Sequence, residues 1–297
     1  MQAFLQKITA FFMSLIAFFS GLLVTVRPVQ YTYGTHERAQ VNIMLPKNAQ
    51  GTTRGLVFFI HGGAWVGGDK DDFGSYLKNT AARGYVVAAL NYRYISDDSH
   101  CEEILEDIDA ALIKVKEVAE QKNITVEKAL FTGVSAGAHL ALLYAYSRAD
   151  TSPIAPAAVV SYCGPTDLTD SGFIDGNAIG EPEAMLDLLS KLCGVKLTEE
   201  EYRARSGNYD AWLAAIEKVS PVSYVTESSV PTVIAHGEQD TLVPYANAVK
   251  LDALLTSAGV KHEFVSFPNS GHELGHDPEC WERVGALLNE YEDTYLK

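Results

Sequence analysis

The stretch Gly133-Val134-Ser135-Ala136-Gly137 decides how this sequence is interpreted. It follows the apolar run Ala129-Leu130-Phe131 and opens onto a helix-forming segment that begins at Ala138. A Gly-x-Ser-x-Gly pattern between a strand and a helix is typical of a nucleophile elbow, a strained turn that exposes a serine hydroxyl. The two glycines let neighbouring backbone pass where a Cβ would clash. We therefore predict that Ser135 is a nucleophile.

A second glycine-containing loop, His61-Gly62-Gly63-Ala64-Trp65, follows the apolar run 56–60. Acyl transfer places negative charge on a carbonyl oxygen, and preorganised backbone N–H groups stabilise that charge. We assign such donors to Gly62 and Gly63, with the N–H of Ala136 as the third. An ordinary turn at a strand end is the alternative, because Gly-Gly is common there.

Candidates for an acid and a base follow later in the chain. Asp240 comes after the short apolar run 231–235, where a loop can direct a carboxylate towards an imidazole, and Glu238 is its competitor. His272 follows the strand pattern 262–267 and is preceded by a glycine suited to a tight turn, while His276 is its rival. The order serine, acid, histidine is the one expected in an α/β-hydrolase. His61, His139 and His236 are expected to be structural.

At this point a family resemblance is clear. The chain resembles the α/β-hydrolase esterases of the hormone-sensitive-lipase and feruloyl-esterase-like kind. The matching segments are HGGAW (61–65), NYRY (91–94), GVSAGAHLA (133–141), CGPTDL (163–168), SPVSYV (220–225), HGEQDTLVP (236–244) and SGH (270–272). Ala64 replaces the third glycine of the common His-Gly-Gly-Gly loop, and Ala138 stands where a second glycine usually follows the serine. Both departures shift the resemblance towards the feruloyl-esterase and formamidase-like branch.

Alternating strand and helix patterns predict one α/β domain over residues 28–297, with a mostly parallel eight-stranded sheet covered by helices on both faces. Strands are expected near 31–34, 41–45, 56–60, 86–91, 129–132, 157–162, 231–235 and 262–267, and helices near 70–83, 101–121, 136–148, 244–258 and 279–294. Residues 170–222 depart from this alternation of strands and helices, and they contain helical stretches at 183–193 and 209–218. They are interpreted as a small cap insertion above the active site, or as a surface excursion without substrate contact.

Large side chains of the insertion, together with Trp65, are candidate walls of a substrate pocket. Such walls would suit a short or aromatic acyl group better than a long chain. The alternative is that these side chains only pack the insertion onto the core. The insertion residues in question are Phe173, Met185, Leu188, Leu189, Tyr209 and Trp212.

Composition excludes several classes of protein. The net charge of −15 argues against nucleic-acid binding, which needs clustered Lys and Arg. The four cysteines (Cys101, Cys163, Cys193 and Cys280) are scattered and lack metal-binding spacing. We expect no metal and no cofactor, and the sequence leaves disulfides and the oligomeric state open.

Residues 1–27 form a separate segment. From Ile8 to Val26 there is no charged residue, and such a helix would rise about 28 Å, close to the hydrocarbon thickness of a bilayer. A membrane anchor and a cleaved signal peptide both fit, and the residues at the candidate cleavage positions favour the anchor. Either would place the catalytic domain outside the cytoplasm, with membrane association if the helix is retained.

The expected reaction is carboxylic-ester hydrolysis on a small-molecule ester, through an acyl-enzyme on Ser135, Asp240 and His272. An amidase or peptidase, arylformamidase-like or prolyl-peptidase-like, would use the same triad on the same fold. A non-enzymatic adhesion role would predict a broken triad, whereas here every member has a candidate.

Overall fold

The computed structural model describes residues 28–175 and 181–297. Its centre is an eight-stranded sheet with the strand order β1-β2-β5-β4-β7-β8-β9-β10, in which only the pairings of β2 are antiparallel. The α/β fold with a mostly parallel eight-stranded sheet is therefore confirmed. The predicted N-terminal anchor or signal peptide, 1–27, lies outside the described residues. Within them, every helix is too short or too polar to cross a bilayer.

The strands lie within three residues of their predicted bounds at each end. A two-stranded pair, β3 with β6, was not expected, because two residues are too few for a periodic pattern to appear. The strands are β1 Val29–Thr32, β2 Gln40–Met44, β3 Thr52–Thr53, β4 Leu56–Ile60, β5 Val86–Leu90, β6 Ile124–Thr125, β7 Lys128–Val134, β8 Ala155–Tyr162, β9 Thr232–Gly237 and β10 His262–Phe267.

The helix predicted over 70–83 is divided in two. Asp69 caps a tight 3-10 turn at Lys70–Phe73, in which Asp72 completes a capping box, and a regular helix begins only at Gly74. Two short helices of the insertion, α4 and α6, were not expected. The helices are α1 Gly74–Ala82, α2 Cys101–Glu120, α3 Ala136–Ser147, α4 Ser171–Asp175, α5 Pro182–Cys193, α6 Glu199–Ala204, α7 Tyr209–Lys218, α8 Ala246–Ser257 and α9 Pro278–Tyr295.

Two apolar cores lie on opposite faces of the sheet. The side chains of successive strand residues point to opposite faces of the sheet and so enter different cores. Phe58 packs with helices α2, α3 and α8, whereas Val57 and Phe59 pack with α1 and α9. This arrangement covers both faces, as the strand patterns predicted. The carboxyl ends of the parallel strands are left to carry the loops that contain the candidate site.

The insertion packs onto the first of these cores. Of its candidate pocket residues, Phe173, Met185, Leu188, Leu189 and Trp212 are all buried there. Val219, directly after α7, accepts a hydrogen bond through its carbonyl oxygen from His139 Nε2 at 2.6 Å. The insertion is therefore fastened to α3, the helix that follows Ser135.

Candidate active site

Ser135 lies at a sharp turn between β7 and α3. Its backbone has φ 56° and ψ −124°, a conformation that a non-glycine residue rarely adopts, and its N–H donates to the Tyr162 carbonyl at 2.8 Å. A Cβ at Gly137 would lie 2.1 Å from the Ile60 carbonyl oxygen, which explains why the elbow needs glycine there. The serine is half-buried, at the carboxyl edge of the sheet.

Asp240 and His272 are joined by a hydrogen bond of 2.7 Å, in which His272 Nδ1 donates to Asp240 Oδ2. Asp240 follows β9 and His272 follows β10, and these two neighbouring strands run parallel. The other carboxylate oxygen, Oδ1, accepts from the N–H groups of Leu242 and Val243 at 2.8 and 2.9 Å. The acid therefore fixes both the loop that carries it and the orientation of the imidazole.

The electrostatics keep this acid ionised. Burial raises the pKa of the Asp240 carboxyl, but the adjacent His272 and a hydrogen bond from His236 outweigh burial and hold the pKa below its usual range. An ionised carboxylate accepts from Nδ1 and leaves Nε2 of His272 to exchange a proton with a substrate or nucleophile.

The two rival residues lie elsewhere. Glu238 is exposed and accepts a hydrogen bond from the Ser266 hydroxyl at 2.6 Å. The side chain of His276 is 68% exposed, and its Nε2 lies 3.8 Å from Glu273. Neither takes part in the pair formed by Asp240 and His272.

Two supporting residues were missed or underestimated from the sequence. His236 Nε2 donates to the Val243 carbonyl at 3.0 Å and lies 3.2 Å from Asp240 Oδ2, so it contacts the acid as well as bracing the loop. Asp277 is buried and accepts from the Ser270 hydroxyl at 2.6 Å, which holds the turn before His272. The His-Gly-x-x-Asp spacing could have indicated His236, whereas no pattern marks Asp277.

Cys163 forms a buried cluster with His236 and the candidate acid, Asp240. The candidate ligand atoms of Cys163, His236 and Asp240 all lie within 4.8 Å of one another. Hydrogen bonds already engage two of them, because His236 donates to a carbonyl oxygen and Asp240 accepts from His272. Burial raises the pKa of the Cys163 thiol, and all four cysteines are free thiols.

The candidate oxyanion loop follows β4 and lies against the start of α3. Gly63 has φ +109°, and a Cβ there would lie 2.4 Å from the Gly67 carbonyl oxygen, so only glycine fits. Ala64 and Trp65 also have positive φ, at 50° and 58°. The N–H of Ala136 is the first of α3, where helix geometry supplies no intrahelical acceptor. The assignment of Gly62, Gly63 and Ala136 as oxyanion donors stays a prediction.

Trp65 points into the core. Its side chain is 2% exposed, and its indole N–H donates to His139 Nδ1 at 3.2 Å. His139 is fully buried, which lowers the pKa of its imidazole to about 4. The interpretation of Trp65 as a pocket wall stays a prediction, while the packing that the structure shows links the oxyanion loop, α3 and the insertion.

Esterases are among the known proteins that this chain resembles in sequence. Esterase LipQ of Mycobacterium tuberculosis is 27% identical over 239 residues, which cover 76% of this chain and 52% of LipQ. The probable carboxylic ester hydrolase LipM of the same organism is 29% identical over 66% of this chain and 43% of LipM. The chain spans about half the length, or less, of the curated relatives it matches.

A solved structure agrees with the fold. A truncated carbohydrate esterase from gut microbiota has a TM-score of 0.69 and 22% identity, with 93% of this chain and all of that chain covered. The sequence model of the BD-FAE family matches residues 41–255, which include the oxyanion loop, the elbow and Asp240. Since this match spans most of the domain, the chain belongs to the BD-FAE family.

Proposed function

We propose that this protein is a serine hydrolase that cleaves carboxylic esters through an acyl-enzyme on Ser135. The observation that carries the proposal is the buried hydrogen bond of 2.7 Å between His272 Nδ1 and Asp240 Oδ2, on the same sheet edge as the Ser135 elbow. Membership of the BD-FAE family and the names of LipQ and LipM support ester hydrolysis.

In the proposed reaction His272, oriented by Asp240, takes the proton of the Ser135 hydroxyl as its oxygen attacks the ester carbonyl carbon. The N–H groups of Gly62, Gly63 and Ala136 stabilise the oxyanion. The tetrahedral intermediate collapses, and the alcohol leaves with the proton from His272. Water then attacks the acyl-enzyme by the same route and releases the carboxylic acid.

The substrate proposal is a small-molecule ester with a short or aromatic acyl group. The insertion helices supply apolar side chains: five of the six named above are buried in the core, and Tyr209 is half-buried. A series of p-nitrophenyl esters from acetate to palmitate tests this proposal. Turnover should be highest for the short chains, and a steady rise towards palmitate would contradict it.

Ser135→Ala tests the reaction itself. The variant should fold, because the change removes one oxygen, and kcat for p-nitrophenyl acetate should fall by roughly 10⁴-fold or more. Thr169→Ala, which removes a half-buried hydroxyl bonded to Asp167, is the matched control and should keep kcat within about twofold. An anilide with the same acyl group as the ester, and an N-formyl amide compared with a formate ester, separate esterase from amidase. Faster turnover of the amide would replace the ester proposal.

For the N-terminal segment, 1–27, we propose a membrane anchor or a signal peptide that places the catalytic domain outside the cytoplasm. Its uncharged, apolar run from Ile8 to Val26 supports this proposal. Mass spectrometry of the protein from its native host distinguishes the two forms. An intact N-terminus in the membrane fraction indicates an anchor, and a mature chain that starts between about Gly21 and Val29 indicates cleavage.

A further inference from the structure

Arg38 contacts the oxyanion loop from a distant part of the chain. It lies between β1 and β2, where its Nε donates to the Tyr92 carbonyl at 2.8 Å and its Nη2 donates to the Gly68 carbonyl at 3.0 Å. The same Nη2 lies 3.3 Å from His61 Nε2, and the guanidinium stacks 3.8 Å from the centre of the Tyr94 ring. A planar cation with several fixed donors is thus held against the first residue of the loop.

The proton positions on His61 follow from its partners. Its Nδ1 lies 2.8 Å from the Gly62 carbonyl oxygen, which can only accept, so Nδ1 carries a proton. Burial lowers the pKa of His61 to about 4, so the imidazole is neutral at pH 7 and Nε2 is bare. Arginine has no acceptor, so Arg38 donates to that bare nitrogen. The hydrogen bonds therefore run in one direction, from Arg38 through His61 to Gly62.

The Gly62 carbonyl and the Gly63 N–H belong to one planar peptide, in which they point in opposite directions. A hydrogen bond that fixes this carbonyl therefore also fixes the direction of the Gly63 N–H. Two successive glycines have little steric preference of their own, so the peptide needs such a restraint to keep one orientation. Tyr92 adds a second restraint, since its hydroxyl donates to the His61 carbonyl at 3.0 Å.

We infer that Arg38 is a positioning residue that selects the Nδ1–H tautomer of His61 and thereby directs the Gly63 N–H towards the oxyanion. The consequence for catalysis rests on the proposed function, whereas the tautomer does not. Without Arg38, no donor holds Nε2 as an acceptor, so His61 can place its proton there. In that tautomer the hydrogen bond from His61 to the Gly62 carbonyl is lost. Transition-state stabilisation then falls, while substrate binding in the ground state changes little.

The direct test is the imidazole ¹⁵N spectrum of the histidine-labelled full-length protein, with His61 assigned by comparison with His61→Gln. Wild type should show the Nδ1–H tautomer, and Arg38→Met should show a mixture or the Nε2–H form. An Nε2–H tautomer in the wild type, or an unchanged Nδ1–H tautomer in Arg38→Met, would overturn the inference. This readout stays valid even if the protein proves not to cleave esters.

Kinetics supply the second readout. Arg38→Met should lower kcat for p-nitrophenyl acetate by roughly 10- to 100-fold, a loss no larger than the one expected when an oxyanion donor itself is removed. KM should stay within about threefold of the wild-type value. Arg38→Lys should recover only part of kcat, because an ammonium lacks the planar fork. The matched control is Arg148→Met, since Arg148 is also half-buried but lies at the C-terminal end of α3, where it binds Glu102 and Asp109 of α2, and it should keep kcat.

A double-mutant cycle separates positioning from general destabilisation. If Arg38 acts through His61, Arg38→Met should cost little further kcat in the His61→Gln background. Losses that multiply independently would contradict the inference, as would wild-type kcat in folded Arg38→Met. If Arg38→Met does not fold, an Nε2–H tautomer in the wild type or an unchanged kcat in Arg38→Lys would contradict the inference.

Discussion

At the scale of single residues, the carboxylate of Asp240 connects the loops that carry the candidate acid and base. Its Oδ1 accepts from two backbone N–H groups of its own loop, and its Oδ2 accepts from His272. The same oxygen lies 3.2 Å from His236. Each donor fixes a different segment, so one buried charge aligns the loops after β9 and β10.

This geometry predicts different outcomes for the two neighbouring histidines. His272→Ala should lower kcat/KM for p-nitrophenyl acetate by roughly 10⁴-fold or more, about as much as the loss of Ser135, because the two act as a unit. His276→Ala should stay within about twofold, since that side chain is 68% exposed and lies near Glu273. The reverse pattern would show that the base has been misassigned.

Sequence patterns singled out Ser135, Asp240 and His272 because each residue belongs to a local motif next to a strand. The structure pairs Asp240 with His272, and the triad with Ser135 stays a prediction. Sequence patterns did not identify Arg38, which contacts His61 and Tyr92 across separations of 23 and 54 residues. Such contacts depend on how β2, β4 and β5 are ordered in the sheet, and no short pattern encodes that order. For the same reason no short pattern indicated that Trp65 packs against His139, and its role as a pocket wall stays a prediction.

At the scale of elements, helix α9 carries a carboxyl buried against the sheet. Glu292 is 0% exposed and forms an ion pair with Arg83, and its Oε1 has no hydrogen-bond partner within the part of the chain that the structure describes. Burial raises the pKa of Glu292 from 4.5 to about 7, and the attraction of Arg83 only partly offsets this. The ionised form is therefore costly in the folded state.

The pH dependence of stability follows from this shift. Because the folded carboxyl has the higher pKa, Glu292 contributes stability below about pH 4.5, and that contribution is lost as pH rises through 7. Relative to wild type, Glu292→Gln should gain roughly 2 kcal/mol of unfolding free energy between pH 5 and pH 8. Urea titrations at both pH values measure this, with the exposed Glu290→Gln on the same helix as control. An equal effect of Glu292→Gln at both pH values would contradict the raised pKa.

The eight strands of the main sheet and the long helices followed from the sequence, because alternation shows within a few strand residues and a helical repeat shows over several turns. The short elements did not, since α4 and α6 span less than two helical turns and β3 and β6 span two residues each. The division of the 70–83 segment depends on the Asp69 capping box, a local signal that competes with the helical pattern over the same residues.

At the scale of the whole molecule, the first strand of the sheet, β1, pairs with β2 from Val29 onwards. Both sheet faces are covered by helices of residues 74–295. The net charge of −15 gives the exterior a self-repelling character that favours solubility.

Removal of residues 1–27 should therefore leave the fold and the active site intact. The truncated protein should have kcat/KM for p-nitrophenyl acetate within about twofold of the full-length chain, as expected for a change away from the core. Full-length protein should remain with membranes in carbonate or high salt, because ions do not screen an apolar contact. Loss of folding on truncation, seen by circular dichroism, would show that the segment belongs to the domain.

The central claim is that Ser135 is the nucleophile of a triad with His272 and Asp240. An organophosphate that reacts with activated serines, followed by peptide mass spectrometry, tests this claim most directly. We predict one covalent adduct, on Ser135, with loss of esterase activity in proportion to labelling, and no adduct in His272→Ala. An adduct on another serine, or full activity after Ser135 is labelled, would contradict the account.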